Sequence, residues 1–282
     1  MSYVTAEGTR LHYRVDGEGD PVVLIHGFGR TLEDWAQQHE LLKQRFRVYS
    51  LDLPGFGDSH PLREPYTLKA LGRSVIAFLE AARIDKPIHL VGNSMGGAVT
   101  MTASVEAPHR VRSLLLTNSA GFSHNANLPL RLLGVRPLAA LIMCNGTLGM
   151  ARGNEKAFFF NPVFATEERT KHTYIASKQP HTIAASLALT EQLLSIRGQR
   201  AEWRLPLLEA LNQHRVPTLV MWGDHDKVLR PSDLDAATHA LPYARTQLIS
   251  DAGHMPMIEK SGEFARLAVD FWQDVAADRA QC

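Results

Sequence analysis

The chain has 282 residues, 45% of them hydrophobic and 21% charged, which excludes a disordered polypeptide and suffices for a large buried core. Thirty Lys and Arg against 29 Asp and Glu leave a formal charge of +1, so no global field selects for nucleic acid, an anionic membrane or a highly charged substrate. Whatever the chain recognises, it recognises locally.

Two cysteines, Cys144 and Cys282, cannot form a disulfide framework and point to a reducing, cytoplasmic setting. The opening residues MSYVTAEGTRLHYRV lack a basic segment followed by an apolar one, so they read as strand and not as a secretory signal. The longest wholly apolar stretch, Leu138 to Cys144, is far below the roughly 20 residues a membrane-spanning helix needs.

In chain order, a hairpin is expected from Tyr3–Ala6 and Leu11–Val15, turning at Glu7-Gly8-Thr9. Short apolar runs then alternate with amphipathic segments, the signature of an α/β fold. Strand Val22–Ile25 precedes a helix over Thr31–Leu42. Strand Val48–Leu51 precedes a helix N-capped by Thr67, with Leu71, Val75, Phe78 and Leu79 on one face. Strand Ile88–Val91 leads into a small-residue helix Met95–Ala107, and Val111–Thr117 is strand again. After position 215 come strand Thr218–Trp222, helix Pro231–Ala240, strand Thr246–Ile249 and helix Gly262–Val275. From Ala120 to Arg215 the rhythm breaks into apolar helical stretches punctuated by Pro129, Pro137, Pro162 and Pro180. A structureless loop of that length is improbable, so residues 120–215 are expected to be a helical lid on a core built from 1–119 and 216–282.

The chemistry concentrates at the ends of these strands. Gly92-Asn-Ser94-Met-Gly96-Gly97 follows a strand directly and opens a helix, the setting in which a sharp turn can lift a serine hydroxyl above a sheet. The same turn aims the Met95 amide at the space beside that hydroxyl, where an oxyanion would develop. A serine is a poor nucleophile without a base and an acid to orient it. His254 follows the last strand in Asp251-Ala-Gly-His254, and Trp222-Gly-Asp224-His-Asp226 supplies two carboxylates after the strand before it. Ser94, Asp226 and His254 occur in the chain order serine, acid, histidine, with Asp224 the alternative acid. The Phe28 amide, in His26-Gly-Phe28-Gly29 after the first core strand, is the expected second oxyanion donor.

A dinucleotide site built on Gly27-Phe-Gly29 and Asp52 is disfavoured because Leu32 stands where a third glycine would allow close helix packing. Asp58 reads as a turn acid. The run Asp224-His-Asp226 has diverging side chains and no further clustered ligands, so neither metal nor cofactor is expected.

Together HGFG, DLPGFGDS, GNSMGG, WGDHD and GHMPMIE resemble the α/β-hydrolase superfamily along nearly the whole chain, and most of all its esterase and monoacylglycerol-lipase branch. The resemblance implies a mostly parallel eight-stranded sheet with helices on both faces and a helical cap inserted after the sixth strand. It carries over Ser94 as nucleophile, His254 as base, Asp226 as orienting acid and the Phe28 and Met95 amides as oxyanion hole. One departure is that Pro231 lies five residues after Asp226, where many relatives place a proline four after the acid, which keeps Asp224 open. Relatives that attack haloalkanes or epoxides use an aspartate where Ser94 stands. Carbon–carbon bond hydrolases of aromatic ring-cleavage products share the serine and SMGG, but usually show HGxGPG and a tryptophan soon after the histidine; HGFGRT and GHMPMIE differ. The implied activity is cleavage of a small-molecule ester with an apolar acyl or alkyl portion, with ring-cleavage hydrolysis as runner-up. A binding module that has lost its triad does not fit a complete one. Phe158, Phe159 and Phe160 are either a helix end packed on the sheet or candidate acyl-wall residues, and at least one of the three is expected to be core. No nucleic-acid partner is expected, and oligomeric state has no signature in the sequence.

Overall fold

A computed structural model describes residues 2–280, so Cys282 lies outside the described residues; Cys144 is an exposed free thiol. The chain opens with β1 (Ser2–Ala6) and β2 (Thr9–Asp16), antiparallel and joined by Glu7-Gly8. Both turn residues have positive φ, 46° and 79°, the two-residue turn that matches strand twist, and Thr9 already belongs to the second strand. Then come β3 (Asp20–Ile25), β4 (Phe46–Leu51), β5 (Ile88–Asn93) and β6 (Val111–Thr117), and after a long helical insertion β9 (Thr218–Gly223) and β10 (Arg245–Ile249). The eight-stranded sheet runs β1-β2-β4-β3-β5-β6-β9-β10, parallel from β4 onward.

Alternation of side chains along each strand builds two cores, one on each face of the sheet. Val23, Ile25, Leu90, Leu114, Leu116, Val220 and Trp222 pack with helices Leu68–Ala81, Met95–Glu106 and Ala201–His214. Their neighbours Val22, Leu24, Val91, Leu115, Leu219 and Met221 pack with helices Ala36–Leu42 and Ser261–Ala280. Thr67 caps its helix by accepting a hydrogen bond from the Ala70 amide at 2.9 Å.

Several boundaries differ from the sequence reading. The segment after Thr31 starts as a 3-10 turn, Leu32–Trp35, before the α-helix at Ala36. The helix expected from Pro231 begins at Asp233, and the last helix runs to Ala280. Between β6 and β9 lie helices Leu128–Leu133, Arg136–Asn145, Leu148–Phe158, Glu167–Ser177, Pro180–Leu193 and Ala201–His214. Pro129, Pro137, Pro162 and Pro180 each occupy the first or second position of a helix, where a missing N–H costs nothing. No strand was expected here, yet β7 (Leu194–Ser195) and β8 (Gly198–Gln199) form a small hairpin, too short to show a period of two in sequence.

Candidate active site

Every candidate residue on the sheet sits just beyond the carboxyl end of a parallel strand, where loops converge in an open α/β sheet. Ser94, between β5 and helix Met95–Glu106, has φ 56° and ψ −121°, a conformation that costs a non-glycine residue about 1–3 kcal/mol and persists because its surroundings hold it. Those surroundings explain the glycines. A Cβ at Gly92 would meet the Gly96 carbonyl oxygen at 2.4 Å, and one at Gly96 would meet the His26 carbonyl oxygen at 2.4 Å. A Cβ at Gly27 would stand 3.2 Å from the Ser94 Cβ, so the HGFG loop runs directly beside the serine. His26 locks that loop: its Nδ1–H donates to the Gly27 carbonyl at 2.8 Å while Nε2 accepts from the Leu53 amide at 3.0 Å. Burial holds this imidazole below its ordinary range, which keeps it neutral and able to serve both bonds. Among the described residues, neither the Phe28 nor the Met95 amide donates to another group of the chain.

His254 Nδ1 donates to Asp226 Oδ2 at 2.7 Å, with both side chains buried. Asp226 Oδ1 accepts from the amides of Val228 at 2.7 Å and Leu229 at 3.1 Å. Asp224, the alternative acid, is elsewhere. Burial works against its charge, but His225 Nδ1 at 2.6 Å and the Ala252 amide at 3.2 Å outweigh it and hold the carboxyl below its ordinary range. Ser94 Oγ makes no hydrogen bond to His254 among the described residues; serine and histidine are joined instead through Asn93, whose Nδ2 donates to the His254 and Thr117 carbonyls, both at 3.1 Å.

Sequence reasoning missed Asn118. Fully buried just after β6, it donates from Nδ2 to Asp226 Oδ2 at 2.7 Å and to the Gly253 carbonyl at 3.3 Å. Its φ of 45° suits asparagine better than most residues, and an asparagine ending an apolar strand was the one available signal.

Asp52 is consumed structurally, bonded to His12 Nδ1 at 2.7 Å and to the amides of Leu32 at 2.7 Å and Asp58 at 3.1 Å. Asp58 thus enters through its backbone, as a turn residue.

Two cavities meet at Phe28 and Leu130. One of about 50 Å³ reaches Ser94 and is walled by Ala98, Leu193, Trp203 and Leu229; the other, about 250 Å³, lies under the inserted helices and is walled by Ile142, Met143, Ala151 and Phe158. The three phenylalanines part company. Phe158 lines the larger cavity and stacks on the His254 ring at 5.7 Å between centroids, and its carbonyl accepts the His254 amide at 2.7 Å. Phe159, 1% exposed, belongs to the core beneath the sheet, and Phe160, 39% exposed, lies against His225. The run bends away from the cavity because it leaves its helix at Phe158 for extended backbone, which sends successive side chains in different directions. Phe159→Ala should therefore cost about 3–5 kcal/mol in denaturant unfolding and leave substrate preference unchanged. Phe158→Ala should shift preference instead.

Arg30, in the same loop as Phe28, closes a buried ion network. It donates to both Asp34 oxygens at 2.7 Å and to Glu155 at 2.6 Å, while Arg169 reaches Asp34 at 2.8 Å and Glu155 at 3.0 Å. Burial opposes ionisation of Asp34, but the charges and hydrogen bonds of Arg30 and Arg169 outweigh it and hold the carboxyl far below its ordinary range. Its stabilisation is complete above the unfolded carboxylate value of about 3.9 and is lost as pH falls toward the folded value. Arg30→Met, which strands two carboxylates on one guanidinium, should cost about 3–5 kcal/mol and move acid unfolding to higher pH, both readable by circular dichroism.

The chain is 29% identical to Lipase 1 of Psychrobacter immobilis, over 94% of this chain and 81% of that one. It is 26% identical to the 2-hydroxy-6-oxo-6-phenylhexa-2,4-dienoate hydrolase of Comamonas testosteroni, over 93% and 90%. The crystal structure of a serine hydrolase involved in carbazole degradation superposes with a TM-score of 0.80 at 26% identity, covering 96% of this chain and 98% of that one. The family model for alpha/beta hydrolases matches residues 22–267, from the first core strand into the last helix, and the chain accordingly belongs to the alpha/beta hydrolase family.

Proposed function

We propose that the protein hydrolyses carboxylic esters with an apolar acyl or alkyl portion, the inserted helices acting as a cap. Ser94 attacks the carbonyl carbon as His254 Nε2 takes its proton, and the Nδ1–H to Asp226 bond steadies the imidazolium. The unengaged Phe28 and Met95 amides receive the oxyanion. The alcohol leaves with the proton from His254, and a water activated by the same base then releases the acid from the acyl-enzyme.

The observation that carries the ester reading is charge. Among the residues lining the two cavities only Arg30 and Glu155 are ionisable to a full charge at neutral pH, and they already neutralise each other. A substrate bearing a carboxylate, such as a ring-cleavage dienoate, would be buried there without a free cation, at a cost of several kcal/mol. The likeness to the Comamonas hydrolase and the shared serine keep carbon–carbon cleavage as the second reading. A screen of p-nitrophenyl esters from C2 to C16 beside a ring-cleavage dienoate separates them. Ester turnover should climb over several carbons, by at most about 0.8 kcal/mol per methylene, and then fall. A flat ester profile with turnover of the dienoate would establish the second reading.

In this reading Asn118 is a positioning residue. Asn118→Asp would set a second carboxylate against Asp226, and the added negative charge favours the imidazolium. The rising limb of kcat/KM against pH should move to higher pH, whereas Asn118→Ala should lower kcat with little change in KM.

A further inference from the structure

Large apolar side chains are exposed on three of the helices that wall the larger cavity, Leu128–Leu133, Arg136–Asn145 and Leu148–Phe158. Leu128 is 62% exposed, Leu141 60%, Met150 43% and Leu138 38%. Leu138 and Leu141 stand three apart on helix Arg136–Asn145, hence on one face, while Ala139 is turned inward. Met150 is at once exposed and part of the cavity wall, as is Pro129, so the apolar surface continues into the cavity.

The three helices carry exposed cations and no exposed carboxylate of their own. No aspartate or glutamate occurs between Glu106 and Glu155, a stretch that contains Arg131, Arg136 and Arg152. Arg136 is paired with Glu191 and Arg152 with Glu167. Arg131 and Lys178 instead donate to main-chain carbonyls, of Ile196 at 2.7 Å and Cys144 at 3.1 Å, and among the described residues neither reaches a carboxylate. Lys178 also stands 5.8 Å from the centre of the Tyr174 ring, so both cations have neutral partners and neither has its charge balanced by a carboxylate. Ile196 is itself 47% exposed, which sets one of these cations beside a further apolar side chain.

We propose that the outer face of helices Leu128–Leu133, Arg136–Asn145 and Leu148–Phe158 docks on an anionic lipid bilayer, with its leucines among the acyl chains and Arg131 and Lys178 at the headgroups. Exposed leucines flanked by uncompensated cations are the composition that binds at such an interface, each cation contributing through the negative surface potential. A second copy brought against this face would carry the same unbalanced cations, with Glu167 and Glu191 already engaged by Arg152 and Arg136, which disfavours self-association. The docking stands on the surface alone; only the further step, entry of an ester into the cavity from the bilayer, rests on the proposed function.

The test is co-sedimentation of full-length Ser94→Ala protein with vesicles of phosphatidylcholine, with and without phosphatidylglycerol. Binding should require the anionic lipid and fall as salt rises. Arg131→Gln with Lys178→Gln should weaken it about tenfold or more at a thermal midpoint measured alongside, since each also gives up one hydrogen bond to a main-chain carbonyl. Leu138→Glu with Leu141→Glu should abolish it at unchanged thermal midpoint. No binding to anionic vesicles, binding indifferent to these four positions, or a dimer in sedimentation velocity that the leucine changes dissolve would each overturn the proposal. Because the vesicle assay uses protein without the serine, its result is separate from whether the native chain cleaves esters.

Discussion

Ser94→Ala is expected to lower kcat by roughly 10⁴ or more with the fold intact. The fold should survive because Ser94 owes its position to backbone: its amide donates to the Thr117 carbonyl at 3.1 Å, and its own carbonyl accepts from the Gly97 and Ala120 amides, both at 3.0 Å. None of these bonds needs the hydroxyl. A serine-directed organophosphonate should label the native chain once, at Ser94, since tetrahedral phosphorus occupies the same space beside the Phe28 and Met95 amides that a carbonyl adduct would. Labelling of a different serine, or undiminished turnover in the variant, would remove Ser94 from the mechanism.

Asp226→Asn should cost roughly 10³ to 10⁴ in kcat, against little for Asp224→Asn. The argument lies in what surrounds each carboxylate. Asp226 is met by four donors: His254 Nδ1, Asn118 Nδ2 and the amides of Val228 and Leu229. A side-chain amide at 226 has to turn its NH₂ toward one pair of them. Facing Val228 and Leu229 it leaves buried donors unpaired, at about 1–3 kcal/mol each. Facing His254 it draws the imidazole into the tautomer with its proton on Nε2, the wrong nitrogen for a base. Asp224 also meets donors, but near the surface, where water can replace them. Steady-state kinetics on both variants, with unfolding as control, decide the assignment.

The parallel sheet was legible in the sequence because each buried strand is a compact apolar run ended by a turn, and the runs from Val22, Val48, Ile88, Val111 and Thr218 fall inside observed strands. Ser94 was legible as a candidate because a steep backbone turn requires glycines at fixed offsets, and sequence records glycines. Asn118 was not, since its importance comes from spatial neighbours 105 to 135 positions away, with no local pattern attached. The phenylalanine run could not be sorted ring by ring for a related reason: composition shows that three rings are adjacent but not that extended backbone sends one to the cavity, one to the core and one outward. Arg30 was passed over because a lone arginine after a glycine loop has no signature until Glu155 and Arg169 are brought beside it.

The hydrogen bond from the His254 amide to the Phe158 carbonyl has a consequence for anyone who would exchange the inserted helices for those of a relative. Phe158 to Phe160 press on Gly253 so closely that a Cβ there would meet main-chain atoms of all three within 2.9 Å. Asn161 and Gly253 also share one carboxylate, since both amides donate to Glu259. A graft cut near positions 120 and 215 would carry this segment away with the transplanted piece and remove the support on which the histidine loop rests, so such a chimera should lose turnover toward every substrate. Moving the second half of the exchange to keep residues 155–169 with the host retains the Phe158 contact and the Arg30 ion network together, and leaves the stretch from Leu128 to Met150 as the part that can be traded.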